Sequence, residues 1–249
     1  MDMVPGMQDN VIVADRVVNL KSIDDERMRG IRGADGGIAV GALTTLAEIA
    51  GHGEIASHLP ALSEAASEVG SPQIRNVGTL GGNLCQRPRC WYFRHEEYKC
   101  LKKGGPRCFA ADEEAENQYN AILGGGPAYI VHPSNCASAL VALDATFHIT
   151  GTDGDRAVAA DDFFVLPTER LMQENVLDRG EIITHVTIPS PAEGSGSAFL
   201  ETSERAGFDW GISGAAVAGT VTDGVVTNAR IVLYAVAPIP WRAREAEAA

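Results

Sequence analysis

Five cysteines are the residues best suited to chemistry here: Cys85, Cys90, Cys100, Cys108 and Cys136, the first four within 24 positions. The opening MDMVPGMQDN has neither the basic nor the apolar region of a secretion signal, so reduced thiols are the expectation. Soft thiolates select zinc, copper(I) or iron–sulfur centres over hard ions. Zinc sites usually show tight C-x2-4-C pairs. The spacing Cys90-x9-Cys100-x7-Cys108 has none, and its longer gaps suit a cluster on an irregular loop. Seven cations (Arg87, Arg89, Arg94, Lys99, Lys102, Lys103, Arg107) share this stretch in a chain of net charge −13. A four-thiolate cluster is anionic, and nearby cations would stabilise it and raise its potential. The bland alternative is free buried thiols on a solvated basic loop.

A second candidate is the glycine pair in Thr79-Leu80-Gly81-Gly82-Asn83. Adjacent glycines can let backbone N–H groups cradle an anionic oxygen, but they also mark plain turns, and composition favours the turn. No G-x-G-x-x-G, P-loop or G-x-S-x-G is present. The six histidines (His52, His58, His95, His132, His148, His185) show no paired spacing. Asp161 and Asp162, being adjacent, should point to different sides of a strand or helix. Trp91, Tyr92 and Phe93 are expected to anchor the cysteine loop to the core.

These groups need a scaffold. Regular patterning predicts strands at 15–20, 38–42, 128–134, 146–150 and 180–189, with a strand after the TDG turn at 152–154. Helices are expected after Thr44 and Thr45, over 59–70 ending at Gly70, and over 136–145. From 85 to about 127 periodicity fails, as it does in functional or cofactor-organised segments. PSPAEGSG (189–196) reads as a linker, followed by strands around a second TDG turn, and the end WRAREAEAA as the first turn of a helix. The class is therefore α+β with mixed sheets. With 249 residues, 45% hydrophobic and 21% charged, the chain is globular rather than disordered, and its acidity disfavours nucleic acid and anionic membranes. No apolar run reaches the roughly 18–20 residues of a membrane span.

Taken together, SPQIRNVGTLGGNLCQRPRCWYFR, CLKKGG-x2-CF, NQYNAILGG, VHPS and ALVALDA resemble the FAD-binding subunit of molybdenum hydroxylases, the xanthine dehydrogenase family. Within it the chain looks most like the subgroup with an inserted [4Fe-4S] loop, to which bacterial aldehyde oxidoreductases and 4-hydroxybenzoyl-CoA reductases belong. The resemblance runs from about residue 10 to the C-terminus. It implies an FAD-binding domain of the vanillyl-alcohol-oxidase-like (PCMH) type over 1–190, with the iron–sulfur insertion at 85–127. The start of a small α+β C-terminal domain would follow at 195–249. Implied partners are a molybdopterin-binding large subunit and a [2Fe-2S] small subunit. The implied role is to pass electrons from the partner clusters through FAD to an external acceptor, active only in the complex, with no acid/base residue of its own. The compartment implied is the cytoplasm, or the periplasm for a subunit carried by an exported partner.

The family holds the FAD pyrophosphate between two glycine-rich loops, the second of which corresponds to Thr79, Leu80, Gly81, Gly82 and Asn83. Of the first, normally A-G-G-T-D-L, Met1-Asp2-Met3 would match the last residues, so the chain is expected to be truncated there, and again after Trp241. Ser134 and Asn135 fall in the family's H-P-S-D element, with Asn135 at the place of an Asp that approaches the flavin. Cys90, Cys100 and Cys108 match three cluster ligands. Ala128 takes the place of the fourth, which leaves Cys85 or, as its rival, Cys136. A three-thiolate site, filled by water or holding a [3Fe-4S] centre, stays open. Two further readings remain: a fragment without FAD in a structural or assembly role, and a zinc-stabilised binding module.

Overall fold

The computed structural model describes residues 2–205 and 207–249; Met1, part of the segment matched to the first glycine loop, lies outside them. One sheet combines β1 (Ile31–Ala34), β2 (Gly37–Gly41), β3 (Thr146–Gly151), β4 (Gly154–Ala159) and β5 (Ile182–Pro189) in the order β1-β2-β5-β3-β4. A second holds β6 (Ser195–Thr202), β7 (Ser213–Thr222), β8 (Val225–Tyr234) and β9 (Trp241–Arg242) as a meander. Every pairing within both sheets is antiparallel, which corrects the expectation of mixed sheets. The long helical excursion between β2 and β5 returns its chain as the β3–β4 hairpin, so no strand has a parallel neighbour to cross over to. At the β7–β8 turn, Asp223 (φ 51°) and Gly224 (φ 78°) both take left-handed conformations, as a two-residue hairpin matching strand twist requires.

The helices are short: α1 (Met3–Gln8), α2 (Leu46–Ala50), α3 (Gly53–His58), α4 (Pro60–Glu68), α5 (Pro72–Arg75), α6 (Leu80–Leu84), α7 (Trp91–Arg94), α8 (Asn135–Ala142), α9 (Ala160–Phe163) and α10 (Arg244–Glu247). Thr45 caps α2 in a capping box with Glu48. After α4, Gly70 turns the chain with φ 51°. α8 is buried along its whole length, which its run of alanines and other small residues permits. It packs on α4 and α6 and on β7 and β8. One core therefore runs from Leu46, Leu84, Leu140 and Phe147 into Phe199, Val232 and Tyr234 of the second sheet.

Two expected strands are absent. Residues 15–20 join no ladder, with Val17 and Val18 exposed, and Asn19 Oδ1 takes the Lys21 N–H to open a 3-10 turn at Leu20 instead. Residues 128–134 run extended without a ladder. The Tyr129 carbonyl accepts from Ala121 N and Asn120 Nδ2, and His132 N donates to the Ala237 carbonyl, so loops meet this backbone's needs.

Candidate functional site

The starts of α6 and α8 meet at a polar corner. Thr79 Oγ1 caps α6 by accepting from Gly82 N at 3.3 Å. The amides of Leu80 and Gly81 donate to the carbonyls of Thr44 and Ala42 at 2.9 and 2.8 Å, so these two are not free to cradle an anion. Gly81 serves close packing: a Cβ there would lie 3.0 Å from the Ala42 Cβ and 3.1 Å from its carbonyl oxygen. Gly82 is the exposed member of the pair.

Asn83, buried, accepts at Oδ1 a hydrogen bond of 2.5 Å from Ser134 Oγ, which in turn accepts from Ala137 N to cap α8. One hydroxyl thus ties the two helix starts together. The structure brings Asn83, Ser134 and Asn135 to one place, although 51 positions separate the first two. Beside them His132 stacks edge-on against Phe164 with its Nε2 buried and without a hydrogen-bond partner. Burial pushes its pKa down to about 3, with the Leu84 backbone offsetting this in small part, so the ring is neutral. A corner of buried polar side chains with an orphaned ring nitrogen suits the polar portion of a large cofactor.

Asn135 Nδ2 donates to Glu201 Oε2 at 2.6 Å. Nothing in the motif pattern singles out Glu201, although strand alternation does set it two residues after the buried Phe199, on the inward face of β6. Burial, and to a lesser degree the nearby Glu68 charge, push its pKa up to about 7, against the opposing hydrogen bond from Asn135. The folded state therefore holds this proton more tightly than the unfolded chain does. Below the ordinary range, near 4.5, both states are protonated; between there and about 7 stability falls as pH rises, and above that the cost is constant. Glu201→Gln should leave the melting temperature unchanged at pH 4 and raise it at pH 8. Parallel melting curves for variant and parent across that range would contradict this assignment.

The cysteine loop is a structured excursion. Tyr92, Tyr98 and Phe109 pack on one another with centroids 5.0–5.9 Å apart. Of the three expected anchors only Phe93 is buried; Tyr92 packs on loop aromatics and Trp91 faces solvent. Several cations already have partners: Arg89 and Arg94 bind Asp2 at 2.6 and 2.8 Å, and Arg87 and Lys102 bind Glu174 at 2.7 and 2.6 Å. Lys103 acts on Cys100, whose thiol is raised by burial despite that cation. Cys90 and Cys108 are half-buried and Cys100 is buried. Cys85, at the end of α6, packs against the core, and Cys136 is fully buried in α8; burial pushes each thiol up to about 12. Among the described residues no three His, Cys, Asp or Glu side chains are gathered into a metal-ligand group. Three soft donors on one loop suit an iron–sulfur centre in kind, but the structure gathers neither three nor four of the thiols into a ligand set.

Sequence spacing also missed a histidine pair. His148 and His185 face each other across β3 and β5 and stack at 4.1 Å, since strand register rather than sequence distance makes them neighbours. Burial, then His148 and the arginines at 32 and 27, lower the His185 pKa to about 4.

Residues 1–191 match the family described as FAD binding domain in molybdopterin dehydrogenase, and 198–249 match the CO dehydrogenase flavoprotein C-terminal domain. The FAD-binding subunit PaoB of aldehyde oxidoreductase from Escherichia coli K12 is 33% identical over 217 residues, covering 86% of this chain and 66% of that protein. The FAD-subunit of nicotinate dehydrogenase from Eubacterium barkeri is 30% identical over 247 residues, covering 99% and 68%. A reconstituted CO dehydrogenase from Oligotropha carboxidovorans superposes with a TM-score of 0.72 at 25% identity, over 99% of this chain and 68% of that one. The chain thus spans about two thirds of the length of the curated relatives it matches. Among the described residues no helix is long and apolar enough to cross a membrane. The fold is that of an FAD-binding PCMH-type domain followed by a C-terminal domain, and the chain belongs to the FAD-binding family of the molybdopterin dehydrogenases.

Proposed function

We propose that this chain is the flavin-binding, electron-transfer subunit of a molybdenum hydroxylase. It would work beside a molybdopterin-binding large subunit and a [2Fe-2S] small subunit, in whichever compartment those partners occupy: the cytoplasm, or the periplasm for an exported complex. The observation that carries the reading is the Ser134–Asn83 hydrogen bond, which locks the double-glycine turn to the start of α8 in a corner of buried polar side chains. When bound, FAD supplies exchange between one- and two-electron carriers.

The chain's own residues do the holding. Thr79 and Ser134 keep both helix starts capped, and Gly81 lets α6 sit against Ala42. Gly82 presents backbone without a side chain, and neutral His132 offers a polar atom and no charge. Asn135, bound to Glu201, joins the corner to the second sheet. A flavin-free structural role has no observation in its favour.

The reading extends to an iron–sulfur centre of the [4Fe-4S] type on Cys90, Cys100 and Cys108, with Cys85 or Cys136 as the nominal fourth ligand. Its support is three thiols on one cation-bearing loop. Protein purified with its partners should carry stoichiometric FAD, and iron and sulfide beyond the amount the [2Fe-2S] subunit accounts for. A preparation that takes up no flavin when supplied with FAD sinks the flavoprotein reading. One that takes up flavin but no additional iron sinks the cluster alone.

A further inference from the structure

An open groove of about 560 Å³ on the cysteine loop is lined by Tyr92, Tyr98 and Phe109 together with Arg107, Asp112, Glu113 and Glu114. Its floor is aromatic: Tyr92 and Phe109 stack at 5.9 Å, and Tyr98 meets the two rings edge-on at 5.0 and 5.1 Å. This cluster is not sealed in the core, since Tyr98 remains 39% exposed. The Tyr92 hydroxyl accepts from Glu116 N at 2.9 Å, which holds the acidic run Asp112-Glu113-Glu114-Ala115-Glu116 alongside the rings. Arg107 binds both oxygens of Asp112, at 3.0 and 2.9 Å, so one carboxylate is neutralised. Glu113 and Glu114 stand exposed and, among the described residues, have no ion-pair partner.

Aromatic rings beside uncompensated carboxylates suit a cation on an apolar stem. The loop displays that recognition within itself: the Arg107 guanidinium lies over the Phe109 ring at 4.5 Å while it bonds Asp112. Tyr98, with Glu113 and Glu114 in the same groove, offers the same pairing, and among the described residues no cation lies over its ring. The rings pack edge to face on one another rather than around a central space, so the groove fits side chains laid across it from outside. We propose that this groove docks a segment of a partner protein bearing arginine and lysine, which seats a cation on Tyr98 beside Glu113 and Glu114. Charge complementarity favours that occupant: the chain carries −13, and the groove concentrates unpaired carboxylates around exposed rings. Contact through exposed charges is screened by salt, so the interface should be transient and ionic-strength-dependent. Neither flavin nor any thiol takes part, so this docking stands apart from both cofactor readings.

The probe is a fluorescent synthetic peptide of glycine, arginine and lysine, titrated with the purified full chain and followed by anisotropy at low and at physiological salt. Tyr98→Leu keeps apolar bulk but removes the π face, and should weaken binding about three- to tenfold, whereas Tyr98→Phe should bind as the parent does. Glu113→Gln combined with Glu114→Gln should weaken binding about three- to tenfold at low salt and flatten its salt dependence. Asp35→Asn combined with Asp153→Asn removes the same charge from exposed positions outside the groove and should change nothing. Spermidine, which brings charge without a segment to lie across the rings, should compete poorly. Far-ultraviolet dichroism and the melting temperature report folding; the two glutamate substitutions, both at exposed positions, carry the test if Tyr98→Leu unfolds. A parent that ignores the peptide at low salt overturns the proposal. So does equal weakening by the two double variants, a folded Tyr98→Leu protein that binds as the parent does, or displacement of the peptide by spermidine at matched charge. Each of these would reduce the groove to unspecific acidity.

Discussion

Glu174→Gln should destabilise the protein by about 3–5 kcal/mol, because it strips the counter-charge from a buried ammonium. Lys102, on the cysteine loop, is 2% exposed and Glu174 is 5% exposed; the two meet at 2.6 Å. The carboxylate also binds Arg87 at 2.7 Å, so a single acid neutralises two cations. In the variant Lys102 Nζ retains the Gln173 carbonyl at 2.9 Å, which supplies a hydrogen bond but no charge. The reverse substitution, Lys102→Met, should cost less, since Glu174 keeps Arg87 and the methionine fills the space of the lysine stem. Combining the two should recover about 1–3 kcal/mol of the summed cost, since partners in one network are not additive.

The pH dependence of this variant has a definite sign. Burial already lowers the Lys102 pKa, with Glu174 pulling it back up. Without Glu174 it falls further, so the penalty is full below that lowered pKa and shrinks as pH climbs from there toward the ordinary lysine range. Urea titration at pH 7 and pH 9.5 measures both effects. A cost within about 0.5 kcal/mol, typical of a surface change, would show the pair to be idle. Because Glu174 clamps the loop bearing Cys90 and Cys100 to the body of the protein, Glu174→Gln should also loosen that loop toward proteolysis.

Gly81→Ala should cost about 1–3 kcal/mol by overpacking and strip the protein of flavin, while Gly82→Ala should leave stability nearly unchanged. The glycines are adjacent but do different work. A methyl group at position 81 meets Ala42 at 3.0 Å, on a backbone already bonded to the Gly81 amide, so neither side has room to yield. At position 82 the single contact is Thr79 Oγ1 at 3.1 Å, which a shift of a few tenths of an ångström relieves without breaking the cap, and a helical alanine returns up to about 1 kcal/mol of backbone entropy. Any loss of flavin from Gly82→Ala would therefore report direct approach of the cofactor rather than a damaged fold. Flavin absorbance per chain and the melting temperature separate these outcomes. Equal effects at both positions would remove the distinction between packing and approach.

How much of this was visible beforehand depends on how local the signal is. Thr45 before LAEIA, Gly70 after α4, and the Asp223-Gly224 turn are read from neighbours a few positions away, and each occurs where expected. The segments 15–20 and 128–134 have strand-like composition, yet a strand exists only if a neighbouring edge is free to pair with it. Residue order alone could not say that Ala121 and Ala237 would claim the second of these backbones.

The sequence by itself determined the chemistry on offer: three soft thiols on one aperiodic loop, a double glycine, and the H-P-S-N turn, because residue type and short spacing are written directly in the chain. Tertiary structure alone decided which of these groups meet. It set Ser134 on Asn83 and Glu201 against Asn135, stacked His148 on His185, and confined Cys136 to the core. Those contacts depend on strand register and helix packing between segments tens of residues apart, and burial then rescales the charge of whatever is enclosed.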